Sequence, residues 1–173
     1  MKKILHRIFL VVSALLTGCV GIPENVTPVD NFDIHRYLGT WYEIARLDHS
    51  FERGLTRVTA DYRPGKDGGI NVLNRGFSPG KNRWKQAEGK AYFIGDPTVG
   101  RLKVSFFGPF YGAYTIIELD RENYQYALVC GPDKSYLWIL ARDPGIDAET
   151  VNRLVSRAAA LGFETDRLIY VEH

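Results

Sequence analysis

The sequence predicts an all-β fold: an eight-stranded antiparallel up-and-down β-barrel, with one C-terminal α-helix packed on its outside and a short final strand. Three observations predict it. Strand-like runs recur at fairly even spacing between residues 40 and 142, turn signals of hairpin length divide them, and only one segment carries a long helical period. A meander without intervening helices favours a closed barrel over a parallel sheet. Eight strands also enclose an interior able to hold one small ligand.

The chain has 173 residues, enough for one domain with a sizeable core, but its first 19 differ from the rest. MKKILHR is cationic, IFLVVSALL is an apolar run of nine residues, and TGC is small. This is the layout of a secretory signal peptide, because spanning a bilayer takes roughly 20 apolar residues. Leu16-Thr17-Gly18-Cys19 resembles the lipobox of bacterial lipoproteins. That resemblance implies cleavage after residue 18 and acylation of Cys19, with chains such as palmitate, as a lipid anchor. Several acyl chains at about 0.8 kcal/mol per buried CH₂ make attachment effectively permanent. Val20 rather than Asp follows the cysteine, which in the same resemblance implies the outer membrane, on its periplasmic side. VGIPENVTPVDN holds two Pro and no apolar period, so residues 19–31 read as a lipidated tether and 32–173 as the barrel domain.

The predicted strands are 40–48, 56–63, 69–77, 84–94, 101–107, 113–119, 124–130 and 135–142. PGKDGG, SPGKNR, GDPTVG, GPFYG, DREN and GPDKS, rich in Gly, Pro, Asp and Asn, divide them. The helix lies in GIDAETVNRLVSRAAALGF: Asp147 is its N-cap, Glu149 sits in its first turn, and Gly162 stops it. Val151, Leu154, Val155, Ala158 and Leu161 form its apolar face. The strand before it is apolar on both sides, with Tyr136, Trp138 and Leu140 against Leu137, Ile139 and Ala141. Such a strand is covered on both faces, so the helix belongs outside the barrel against it. A final strand is predicted over 165–171.

Charged residues make up 24% of the chain, and the net charge of +2 comes from scattered rather than clustered Lys and Arg, which argues against a nucleic-acid partner. Aromatics at 13% suit a β protein with a large apolar interior, or equally a well-filled core. Acylation of Cys19 would leave Cys130 without a disulfide partner. His6, His35, His49 and His173 show no metal spacing, so no metal or cofactor is expected; His49, near the barrel mouth, is the residue that would serve a haem. GKDGG reads as a turn, since no strand and helix flank it as a phosphate loop requires.

LGTWYEIAR sets a Gly and a Trp two apart at the start of the first strand. Gly39 removes a Cβ where the chain enters from the turn or 3₁₀ segment NFDIHRYL, and Trp41 is then free to close one end. Arg142 shares the parity of Trp138 and Leu140 at the end of the last strand, which an antiparallel meander returns to that same end. It can stack on Trp41 with a gain of about 0.5–2 kcal/mol.

These residues carry a family resemblance. NFDIHRYLGTWYEIAR resembles the first lipocalin motif, LDRENYQYALV the second and WILARDP the third, in matching order over about residues 31–172. The paired cysteines of many animal lipocalins are missing, so their disulfides do not transfer. Strand parity turns Val104 and Phe106, and Tyr136, Trp138 and Leu140, toward the cavity, leaving Lys103 and Ser105 to solvent. The pattern of an animal member of the family implies ligand contacts at Tyr62, Asn74, Phe106, Trp138 and Leu140; Tyr62 and Asn74 rest on that resemblance alone. The resemblance implies a fatty acid or lysophospholipid ligand, stored or transported, and no catalysis. Its head would sit at the mouth, opposite Trp41, near Arg53, Lys81, Arg83 and Lys134. Phe107, Phe110 and Tyr111 in FFGPFYG would touch a membrane, a second copy in a homodimer, or the cavity. Two alternatives stay open: an enzyme on the same barrel using Cys130, which has no base in its local sequence, and a ligand-free structural or stress protein of the envelope.

Overall fold

The structure, a computed structural model, describes residues 20–173; the signal peptide, the lipobox and Cys19 lie outside the described residues. Eight strands follow one another as β1 (Gly39–Arg46), β2 (Thr56–Pro64), β3 (Ile70–Ser78), β4 (Arg83–Phe93), β5 (Arg101–Phe107), β6 (Phe110–Leu119), β7 (Tyr126–Cys130) and β8 (Leu137–Ala141). Each pairs antiparallel with the next, and β8 and β2 both pair with β1, so the sheet closes on itself as the sequence predicts. The short β9 (Ile169–Tyr170) adds to β1 from outside.

The helix α2 (Ala148–Ala160) starts where Asp147 Oδ1 accepts the Thr150 N–H at 2.7 Å, and it ends before Gly162, whose φ of +82° suits glycine. It buries Val151, Leu154 and Ala158 against the outward faces of Leu128, Cys130, Leu137 and Ile139. Those strands are therefore buried on both sides. A second, inner core fills the closed end with Phe32, Tyr37, Trp41, Ile70, Leu102 and Leu119.

β1 holds the irregularity that matters most for the site. Its pairing with β8 shifts between Glu43 and Ala45, and this bulge turns Arg46 to the same side as Glu43. Beyond Tyr42, β1 leaves β2, and the C-terminal segment bridges the gap: Val171 N–H donates to Ile44 O and Arg57 N–H donates to Glu172 O.

Several boundaries differ from expectation. The predicted turn before Gly39 is one α-turn, α1 (Ile34–Tyr37), capped by Asp33 accepting from His35 N–H. The loop expected over 107–112 is only a tight turn at Gly108-Pro109, because Phe107 and Phe110 pair and extend the hairpin. Of the predicted strand 165–171, residues Thr165–Arg167 form a 3₁₀ turn and only two residues pair with β1. Much of the segment read as a tether also lies against the barrel. Val29 N–H donates to Ile116 O, Gly100 N–H donates to Val29 O, and Val26 and Val29 are buried. Gly100 leaves the room for this: a Cβ there would come within 2.7 Å of Val29.

Candidate functional site

Inside the barrel lies a cavity of about 580 Å³. Tyr62, Asn74, Val104, Phe106, Tyr136, Trp138 and Leu140 all stand on its wall, brought there by the two-residue alternation of β2, β3, β5 and β8. Val58, Val72, Ala87, Ala91 and Leu102 complete a lining that is mostly apolar. Its polar groups gather at two levels, the floor and the upper wall.

At the floor Trp41 is fully buried and its indole N–H donates to Tyr37 O at 2.8 Å. The Arg142 guanidinium carbon lies 4.1 Å from the Trp41 ring centroid. Its N–H groups donate to the carbonyls of Thr40 (2.8 Å), Arg36 (2.9 Å) and Leu38 (2.8 Å). The charge thus meets carbonyls left free at the end of α1 as well as an aromatic face. Gly39 takes a φ of +94°, and a Cβ there would come 3.3 Å from the guanidinium. Above this layer the hydroxyls of Tyr37 and Tyr62 lie 2.7 and 2.9 Å from that of Tyr114. Burial pushes all three phenols above their usual range, so they stay neutral.

The upper wall holds a buried cluster that alternation hides. Arg46 donates to Glu43 Oε1 at 2.6 Å and to Glu52 O at 3.0 Å. Glu52 folds in from the β1–β2 loop, where Trp138 Nε1–H donates to its Oε2 at 3.1 Å. His49 Nε2 lies 2.9 Å from the same oxygen, off the line of a good hydrogen bond. Burial, and then the neighbouring Glu52 charge, push Glu43 well up against the pull of Arg46. Burial pushes Glu52 up as well, but His49 and the Trp138 N–H outweigh it and hold that carboxyl low. The two carboxyls are thus pushed in opposite directions, Glu43 up and Glu52 down. A reading by strict alternation sends Glu43 and Arg46 to opposite faces, and no local signal marks the bulge.

Other expected contacts fall elsewhere. None of Arg53, Lys81, Arg83 and Lys134 lines the cavity; Lys85 and Arg75 do, because the β3–β4 hairpin runs past the rim and carries its turn away. Arg53 pairs instead with Asp48 at 2.8 Å. Lys134 lies beside Gly162 at the end of α2, where free carbonyls favour a cation. Ser105 is buried in an outer cleft with Leu73 and Tyr111 rather than solvated. β4 pairs with β5 from Lys90 to Phe93, and Gly89 lets the Phe106 ring lie close against β4, since a Cβ there would come within 2.8 Å of it. Phe107 and Phe110 border the cavity at the β5–β6 turn, 81% and 65% exposed, while Tyr111 packs against Tyr92 and Lys103. His49 is buried among Phe51, Tyr136 and Trp138 and does not line the cavity. Cys130 faces the outer core under α2, with burial pushing its thiol up to about 12. Among the described residues no His, Cys, Asp and Glu side chains group as a metal site would need.

Residues 32–173 match the family model of the lipocalin-like domain. The outer membrane lipoprotein Blc of Vibrio cholerae serotype O1 is 57% identical over 169 residues, covering 97% of this chain and 99% of its own. The outer membrane lipoprotein Blc of Escherichia coli K12 is 58% identical over 150 residues, covering 87% and 84%. Among solved structures, insecticyanin from the tobacco hornworm Manduca sexta matches with a TM-score of 0.71 at 24% identity over 88% of this chain and 87% of its own, a likeness of fold alone.

Proposed function

The chain belongs to the lipocalin family, and on that premise we propose that it is a lipid-binding lipoprotein of the outer membrane. It stores or carries fatty acids or lysophospholipids in its barrel and catalyses nothing. After loss of residues 1–18, acylated Cys19 holds it to the periplasmic side of that membrane, and residues between Cys19 and the first packed side chains form the tether. Support for the location comes from the names of its relatives in Vibrio cholerae and Escherichia coli, both outer membrane lipoproteins.

The observation that carries the binding reading is the cavity, about 580 Å³ of mostly apolar space reached from the open end of the barrel. That size falls within the range of roughly 300–1,000 Å³ typical of small-molecule sites. Burying about fourteen methylenes of one acyl chain gives a gross gain of roughly 11 kcal/mol. The costs of association and chain ordering remove several of these, which leaves affinities near micromolar. Against catalysis through Cys130 stands its thiol, held protonated under α2 and turned away from the cavity.

Delipidated protein titrated with palmitate or hexadecanoyl lysophosphatidylcholine should bind one equivalent with micromolar affinity. Phe106→Ala, which removes cavity wall but no hydrogen bond, should weaken that binding about tenfold while its urea midpoint moves far less in proportion. A titration with no saturable binding would sink the carrier reading and leave the ligand-free envelope role.

A further inference from the structure

The floor of the cavity has one hydroxyl proton more than its hydroxyl–hydroxyl contacts use. Tyr37 and Tyr62 each approach Tyr114 through their hydroxyl oxygens, at 2.7 and 2.9 Å, and among the described residues the three hydroxyls bond to nothing else. A phenol brings one proton to donate. Two contacts use two protons, so whichever way the bonds run, a third is left without an acceptor. Ionisation does not remove it, because burial raises all three phenols far above neutral pH. Tyr37 and Tyr62 are only 2% and 7% exposed, and all three side chains line the cavity. A buried donor without a partner is costly, and the cavity is the space from which a partner can come. Arg142, behind Trp41, sets a positive charge beneath the same floor.

We infer that this tyrosine trio is a second polar subsite, which takes an oxygen at the buried end of an otherwise aliphatic ligand. The inference rests on the carrier reading and narrows its ligand to an acyl chain that bears a hydroxyl, carbonyl or carboxylate oxygen at the end remote from its headgroup. A plain methyl terminus leaves the spare proton unmet, whereas an oxygen accepts it.

Two lysophosphatidylcholines test this on delipidated protein by calorimetry: one with a hexadecanoyl chain, one with an ω-hydroxyhexadecanoyl chain, with shorter homologues of both so that one terminus meets the floor. The zwitterionic headgroup keeps every probe in one orientation. The ω-hydroxyl should tighten binding about fivefold at the length that reaches the floor. Equal or weaker binding of the ω-hydroxyl form at every length overturns the subsite but leaves the carrier standing, since the plain chain still binds. Failure of both series to bind overturns the carrier and the subsite with it. Single tyrosine changes are poor tests, because any bonded pair that remains still has a spare proton. The combined variant Tyr37→Phe, Tyr62→Phe, Tyr114→Phe keeps the rings and removes every donor. In it the two chains should bind alike, whatever the affinity of the hexadecanoyl form; an ω-hydroxyl advantage that survives there overturns the inference. Should that variant fail to fold, the comparison on the unaltered protein still decides.

Discussion

Glu43 and Glu52 meet in the barrel wall with Arg46 and His49 beside them, and two carboxyls so placed cannot both ionise at little cost. Burial and the Glu52 charge raise Glu43, while His49 and the Trp138 N–H hold Glu52 low. The consequences for stability have opposite signs. Above its ordinary value of 4.5, an unfolded Glu43 has lost its proton while the folded one keeps it, so this group makes stability fall as pH rises from that value toward its raised one. Glu52, below 4.5 when folded, adds stability above that value, and this is lost as pH falls through its lowered one. Glu43→Gln imitates the protonated acid permanently. Its urea midpoint should therefore decline less than that of the unaltered protein between about pH 5 and pH 8. Glu52→Gln should lower the midpoint above pH 4.5, since it removes the carboxylate that His49 and the Trp138 N–H hold in its charged form. Parallel pH profiles for the unaltered protein and Glu43→Gln would show that Glu43 is already ionised. None of this was legible in the chain. Alternation sets residues three apart on opposite faces, and only the bulge at Glu43–Ala45, a tertiary feature, brings Glu43 and Arg46 together.

Arg142 ties three elements into one floor. It extends from the end of β8, stacks on Trp41 of β1, and donates to the Arg36 and Leu38 carbonyls at the end of α1. The α-turn has only four residues and cannot stand alone, so the guanidinium holds it across the barrel end. Arg142→Ala should cost roughly 2–4 kcal/mol in urea unfolding, from the lost stacking and the carbonyls left bare. Arg142→Lys should recover little, because an ammonium has no planar fork to reach three carbonyls while lying on an indole. Recovery of most of the loss by Lys would mean that charge alone matters. This pair could be read from the chain because parity and strand count fix where the ends of an even meander meet. The strap over residues 22–32 was less accessible: its Pro and polar residues imitate a linker, and its few buried anchors, Val26 and Val29, follow no period. The expected 165–171 strand shortened for a related reason, since β-prone residues need an edge to pair with and β1 offers only Ala45 and Arg46.

At the scale of the whole molecule, a hollow barrel is a core left incomplete. Side chains facing the cavity lack contacts across it, so stability comes from the floor around Trp41 and from the outer core beneath α2. The closed barrel was legible because strand number and alternation are properties of the chain. The hollow was expected from strand number and the family resemblance, and alternation added nothing to it, because it tells which way a side chain points and not whether opposing side chains touch. In a hollow barrel the ligand acts as removable core, which links binding to folding by mass action. A ligand at about a hundred times its Kd adds roughly 2.7 kcal/mol to unfolding. In a domain of this size that should raise Tm by roughly 5–10 °C. Differential scanning calorimetry of delipidated protein, with and without palmitate, reads the shift. Phe106→Ala removes cavity wall without removing a hydrogen bond, so the delipidated Tm should move little while the palmitate shift shrinks to a few degrees. A Phe106→Ala variant that loses most of its delipidated stability would mean that Phe106 fills the interior as ordinary core, and that the ligand completes nothing.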